Sequence, residues 1–379
     1  MYAIPYLEAG NTEVPMRVTL NEIAKAAGVS RGTVDRALNN RGRIHPEVAE
    51  KIRRIARDMG YTTNVNARAL ALSSKPRKIG VILQLVDTPF VKTVQEGIET
   101  AARELRQIGF SLDIILIEGL DSSLVVSHMQ KMRDEHVQAI VLTGDNDTAL
   151  RQEIDNCREA QIPVITLNID VPNSYRMFFV GQNAYRSGQV AASVLGDLLG
   201  GKGTIAVYYG LYSTNHSERI RGFRDILSRK YKDIVIAEEK RTGNVPGVVP
   251  RLIGSLLERN EHIDGIYLCT EWSAEVCSYL RWRGLSSKIH IVTHDTAGCR
   301  PQDILDRTID YVVDDDGPRQ GYLALRLLFK WFYYKEIPTE TYYYSAIRII
   351  NAYNFLPQDD HDSKTEPVPY YEKIAKPDL

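Results

Sequence analysis

Cysteine is scarce in this chain: Cys157, Cys269, Cys277 and Cys299 are widely spaced, and no two form a C-x-x-C pair. That offers neither a zinc site nor a disulfide framework and leaves buried free thiols as the reading. Long apolar runs are missing as well. No run of about 18 apolar residues exists, which sets a membrane span aside. The opening MYAIPYLEAGNTEVPM has no basic segment followed by an apolar core, so no secretory signal is read and a cytoplasmic location is expected. There is no Walker loop, no HExxH, no G-x-S-x-G and no convincing pair of carboxylates. Asp314-Asp315-Asp316 reads as a solvated acidic loop rather than a metal or acid pair. Neither an enzyme, nor a cofactor, nor a metal is therefore expected.

A strong charge of either sign is also absent overall, the net being −1. That balance conceals a split. From Met16 to Lys78 there are 14 Lys/Arg against 5 Asp/Glu, a local +9, and the rest carries 33 against 43, or −10. A compact basic segment of this kind suits an anionic partner, because each neutralised phosphate of a nucleic acid releases condensed counterions.

Inside that segment stands VTLNEIAKAAGVSRGTVDRALNN, Val18 to Asn40. Leu20, Ile23, Ala24 and Ala27 recur at helical spacing, and Val34, Ala37 and Leu38 do so after a Gly28-Val29-Ser30 break. Two short amphipathic helices joined by a tight turn are the outline of a helix-turn-helix. PEVAEKIRRIARDMG follows as a third helix, with Pro46 at its start, Gly60 at its end and Val48, Ile52, Ile55 and Met59 as its apolar stripe. Asn64 is suited to cap a short helix through Leu72, and Ser73-Ser74-Lys75-Pro76 closes it as a linker. From Lys78 the texture changes to strands alternating with helices: KIGVILQLV, SLDIILIEG, AIVLTG, PVITLNI, GTIAVYYG, GIYLCT, KIHIVTH and TIDYVV. Repeated strand-then-helix units imply parallel sheets covered on both faces, and about eight strands suit two α/β lobes with a ligand crevice between them.

Over Met16 to about Asn351 the sequence resembles the LacI family of bacterial transcription regulators. The resemblance rests on TLNEIAKAAGVSRGTVDRALNNRGRIHPEVAEKIRRIARDMGY, on NVNARALA and on the strand-helix remainder, which is similar to sugar-binding proteins of the ribose-binding type. It implies an α/β, two-lobed, periplasmic-binding-protein-like (type I) core with an N-terminal all-α headpiece and a hinge helix. The expected domains are an extension at 1–16, a headpiece at 17–62, a hinge and linker at 63–77, an effector and dimerisation domain at 78–351, and a tail at 352–379. Met16-Arg17-Val18-Thr19 reads like a family start, which makes the first fifteen residues an annotation extension or a disordered arm.

Arg31, Gly32 and Arg36 stand where the family reads bases, and each arginine is able to donate two bonds to a guanine edge. Gly32 has no side chain for that task. Thr19, Ser30, Thr33 and Asn39 join the expected DNA contacts, the last three suited to phosphates. Asp35 departs from the usual serine and is read as an intrahelical partner of Arg31 or Arg36. In the hinge, Leu70 lines up with the leucine that wedges into the minor groove, Ala67 lets paired hinge helices approach, and Asn64 and Arg68 hold phosphates.

For the effector, the resemblance implies Asp87 and Phe90 in the first loop, Asn168 with Asp170, and Arg219 as the inducer-binding arginine. It adds Thr270 and Glu271, where an Asn-Asp pair is usual, Asp295, and Asp315 in place of a glutamine. The partners implied are near-palindromic operator DNA, a sugar or sugar derivative, and a second copy of the chain, since the tail lacks the leucine heptads of tetrameric members. A ligand-controlled regulator, most simply a repressor, is the leading reading. A sugar-binding protein of a transport or sensing system is the alternative, and the basic headpiece argues against it.

Overall fold

The computed structural model describes residues 18–38, 44–59, 77–106, 109–210, 213–243, 245–259, 262–269 and 272–355. Asn39, Asn64, Ala67, Arg68, Leu70, Thr270 and Glu271 lie outside the described residues, as do the expected hinge helix, extension and most of the tail. The chain divides into two compact units, Met1–Lys75 and Pro76–Leu379.

In the first unit, three helices form a small core: α1 (Leu20–Ala27), α2 (Arg31–Leu38) and α3 (Pro46–Asp58). Helices of this length are marginal alone, so their stability must come from packing. Ile23, Val34 and Ile52 are fully buried where the three meet, with Ala24, Ala27, Ala37, Ala49 and Ala56 around them. Each large side chain contributes about 1.5–3 kcal/mol. Thr19 and Glu22 form a capping box at the start of α1. Gly28 ends that helix in the left-handed region (φ 71°), which glycine adopts without steric cost and which turns the chain into α2.

The second unit begins with β1 (Arg77–Gln84), α4 (Pro89–Arg106), β2 (Phe110–Ile117), α5 (Ser122–Asp134), β3 (Ala139–Leu142), α6 (Thr148–Glu159), β4 (Val164–Leu167) and β5 (Phe178–Gly181). It continues through α7 (Ala184–Leu198), β6 (Lys202–Tyr209), α8 (Thr214–Lys230), β7 (Asp233–Arg241), α9 (Val248–Glu258), β8 (Gly265–Cys269), α10 (Ser273–Trp282), β9 (His290–His294), α11 (Pro301–Leu305) and β10 (Tyr311–Asp314). The last elements are α12 (Gly317–Tyr334), β11 (Tyr342–Tyr344) and β12 (Arg348–Ile350).

These strands make two six-stranded sheets, ordered β11-β5-β4-β3-β1-β2 and β12-β10-β9-β8-β6-β7. Every pairing is parallel except β10 with β12. Alternate residues of a strand bury on opposite faces. In β6, Ala206 and Tyr208 join the core under α9 and α10, while Ile205 and Val207 join the one under α7 and α8. Both faces being covered explains why every residue of β3, β4 and β8 is buried.

Among the described residues the chain passes between the lobes three times: at 181–183, at 314–316 and at 345–347. One amide ties the three together. Buried Gln182 donates from Nε2 to the carbonyls of Asp314 (3.0 Å) and Ala346 (3.4 Å). The Asp315 carbonyl accepts from Gln320 (2.7 Å) and from Ser345 Oγ (3.1 Å). The acidic run is therefore no solvated loop. Asp314 and Asp315 are buried, and Asp314 accepts from Arg348 Nε (3.1 Å) and Thr296 Oγ1 (3.0 Å). The cysteines are free, three of them buried and Cys299 partly so.

Candidate DNA-binding head and effector cleft

On the head, Ser30 precedes α2, and its hydroxyl accepts from the Thr33 N–H (3.1 Å) and bonds the Thr33 hydroxyl (2.9 Å). It thus acts as an N-cap. Arg31, Gly32 and Arg36 are exposed. Arg36 Nε donates to the Gly32 carbonyl (3.0 Å), so this arginine lies back along its own helix. Gly32 has no positive φ, and a Cβ there would meet nothing closer than Ser30 Oγ at 3.8 Å. Neither packing nor backbone geometry within the described residues demands glycine at that point. Thr19 is occupied as a cap, its hydroxyl donating to Glu22 at 2.9 Å.

In the α/β unit, the C-terminal ends of the parallel strands from both lobes face one crevice, where backbone dipoles and strand-helix turns usually make a binding site. The residue directly after β1, β4 and β9 is in each case left-handed: Leu85 (φ 61°), Asn168 (φ 65°) and Asp295 (φ 60°). Non-glycine residues held there carry local strain, which concentrates at binding sites. All three line a small cavity together with Thr88, Phe90 and Val91 of the first strand-helix turn, Ile169, and Ser213, Asn215, His216 and Arg219 of the equivalent turn in the second lobe. Asp315, from the second crossing, completes it.

Arg219 and Asp315 form a buried ion pair at its base, 5% and 1% exposed. Arg219 Nε and Asp315 Oδ1 remain without a hydrogen-bond partner. Burial pulls the arginine pKa down, but the charges of Asp315 and Asp295 help leave it raised, so it stays a cation. Burial pushes the Asp315 carboxyl up to about 6, against the pull of Arg219. Beneath them Tyr267 stacks on Phe223 at 4.2 Å and bonds His294 Nε2 at 2.8 Å. Burial and the nearby Arg219 charge hold His294 well below its usual pKa.

The lobes touch across the cavity: Asn215 Nδ2 donates to the Asn168 carbonyl at 2.9 Å. The enclosed space is about 50 Å³. Pockets that enclose small ligands run to roughly 300–1,000 Å³, so the cleft stands closed upon itself.

Of the effector residues expected from sequence, Phe90, Asn168, Arg219, Asp295 and Asp315 come together here. Two do not. Asp87 is exposed and accepts from the Gly119 N–H (3.2 Å), bracing a neighbouring loop. Asp170 is held by Arg176 through both carboxylate oxygens and by Thr166 Oγ1 at 2.6 Å, which uses its accepting capacity outside the cavity. Thr88, Ser213, Asn215 and His216 were not singled out in the sequence. Their signal is positional, because GLYSTNH after β6 repeats the strand-helix turn of LVDTPF after β1.

Comparison with known proteins agrees with this arrangement. Residues 79–332 match the model of the periplasmic binding protein domain, and residues 19–64 that of the bacterial regulatory proteins, lacI family. The HTH-type transcriptional regulator DegA of Bacillus subtilis is 31% identical over 56% of this chain, and the match spans 61% of that protein. Catabolite control protein A of Priestia megaterium is 25% identical over 83% of this chain and 93% of its own. GanP, a glucose-galactose binding protein from Geobacillus stearothermophilus, superposes with a TM-score of 0.67 at 20% identity, over 75% of this chain and all of its own, and so shares the fold. The chain belongs to the lacI family of bacterial regulatory proteins, carrying that family's DNA-binding domain at its head and a periplasmic binding protein domain behind it.

Proposed function

We propose that this chain is a sequence-specific DNA-binding repressor, acting as a homodimer in the bacterial cytoplasm and controlled by a sugar or sugar derivative bound between its lobes. The observation that carries this reading is the union in one chain of two features. One is a helix-turn-helix whose exposed α2 offers Arg31 and Arg36; the other is a cleft floored by a buried Arg219–Asp315 pair with unused bonding capacity. In this reading Arg31 and Arg36 select bases, Ser30 and Thr33 position α2 on phosphates, and Leu70 is the hinge wedge. Function comes from binding rather than catalysis. Effector and operator affinities are coupled reciprocally, because each ligand favours one arrangement of the lobes.

The test is operator selection from random duplexes with the full-length protein, followed by gel shift with and without a panel of sugars. The reading expects a near-palindromic site and a sugar that changes its affinity. No DNA binding even at low salt would overturn it. Leu70→Ala should weaken operator binding far more than nonspecific binding, and equal losses would refute the wedge role.

A further inference from the structure

The cleft has a charge balance that restricts what it can hold. Its lining carries one fixed cation, Arg219, against two carboxylates, Asp295 and Asp315. A protonated His216 would bring the sum only to zero. Leu211, Tyr212, Thr270 and Glu271, which adjoin the lining loops in sequence, include no cation.

The arginine is already engaged. Its Nη2 bonds Asp315, and both carboxylates favour its charge. Buried in the lining and without a hydrogen-bond partner are a donor of the pair, Arg219 Nε, and an acceptor, Asp315 Oδ1. A hydroxyl both donates and accepts, so it is able to serve either atom. A carboxylate or phosphate only accepts. It would use Nε, leave the buried Asp315 Oδ1 unsatisfied, and bring a like charge beside two acids. The amides of Asn168 and Asn215 are likewise uncharged, each with donor and acceptor atoms.

We infer that the cleft accepts an uncharged polyhydroxy ligand and rejects its carboxylate and phosphate analogues, with Asp315 and Asp295 setting that selection. The inference rests on the effector reading of the cleft and narrows it. Asp315 acts as a specificity determinant because it consumes the arginine's charge while keeping the guanidinium in place.

The experiment is titration calorimetry on the full-length protein with matched probes: D-glucose against D-glucuronate and D-glucose 6-phosphate, D-ribose against D-ribose 5-phosphate, D-galactose against D-galacturonate, and myo-inositol against its monophosphate. The expected result is at least one neutral binder whose anionic counterpart is at least tenfold weaker. Asp315→Asn and Asp295→Asn should each shrink that gap at least tenfold; if one variant fails to fold, the other reads the same gap. An anionic probe bound as tightly as its neutral partner overturns the inference and leaves the effector cleft standing. A gap unchanged in both variants overturns the assignment of the two aspartates. Silence from every probe overturns the effector reading together with the inference.

Discussion

Gly188 of α7 lies directly against the carbonyl of Arg219 on α8, so close that a Cβ on Gly188 would overlap that oxygen. Gly222 meets the Tyr185 carbonyl in the same reciprocal way. The first lobe repeats the device, Gly97 meeting Pro318 and Gly321 meeting Val94 where α4 and α12 pack. In each lobe a helix that follows a crossing is thereby locked to the helix that lines the cleft.

Gly188→Ala should therefore cost about 1–3 kcal/mol, the usual penalty for forcing a methyl into a filled contact. It should also displace Arg219 and weaken effector binding. Urea denaturation and ligand titration of the variant read both, and a variant as stable as the parent would contradict the contact.

Arg219→Ala leaves Asp315 buried and unpaired, a loss of about 3–5 kcal/mol when one partner of a buried pair is removed. The double variant Arg219→Ala with Asp315→Ala removes the orphaned charge and should regain part of that loss. A double-mutant cycle on denaturation midpoints measures the coupling, and strict additivity would deny the pair its role.

His294 and Asp315 pull stability in opposite directions as pH falls. The folded protein keeps His294 neutral, whereas the unfolded chain protonates it near 6.5, so His294 removes stability as pH drops below that value. Asp315 takes its proton at about 6 when folded and near 3.8 when unfolded, so between those values its contribution rises as pH falls. In the parent the two act against each other. His294→Gln should lose less stability than the parent on acidification from pH 6.5 to 4.5, the difference approaching about 1.4 kcal/mol per pH unit. Parallel curves for the two proteins would contradict a neutral buried His294.

Arg31→Ala and Arg36→Ala should each cost about 1–3 kcal/mol on the selected operator and relax base choice at one position. Ser30→Ala should lower head stability by about 1 kcal/mol through the lost cap and weaken binding to every operator variant alike through the lost phosphate contact. Competition gel shifts over single-base operator variants separate the two outcomes.

Gly32→Ala should stabilise the head by up to about 1 kcal/mol, because helix propensity improves and the new methyl has room. It should weaken operator binding at the same time if the bare α2 surface lies against DNA. Higher melting temperature with unchanged operator affinity would refute that placement.

Much of this architecture was legible in the sequence. The eight apolar runs became β1, β2, β3, β4, β6, β8, β9 and β10. Four strands were not read, for different reasons. β5 follows β4 with no helix between them and so falls outside the strand-then-helix pattern, β7 carries Glu238, Glu239 and Lys240, and β11 and β12 have three residues each, held by pairing with β5 and β10. The site divides similarly. The resemblance gathered Phe90, Asn168, Arg219, Asp295 and Asp315, but nothing local revealed that Arg176 would claim Asp170, or that Asp87 would turn to Gly119. Such pairings are set by tertiary structure.

The amide of Gln182, bonded to both other crossing strands, has a mechanical consequence. Three separate tethers would permit the lobes to slide, tilt and twist independently. Joined through one buried side chain, the crossings are constrained to move together rather than one at a time.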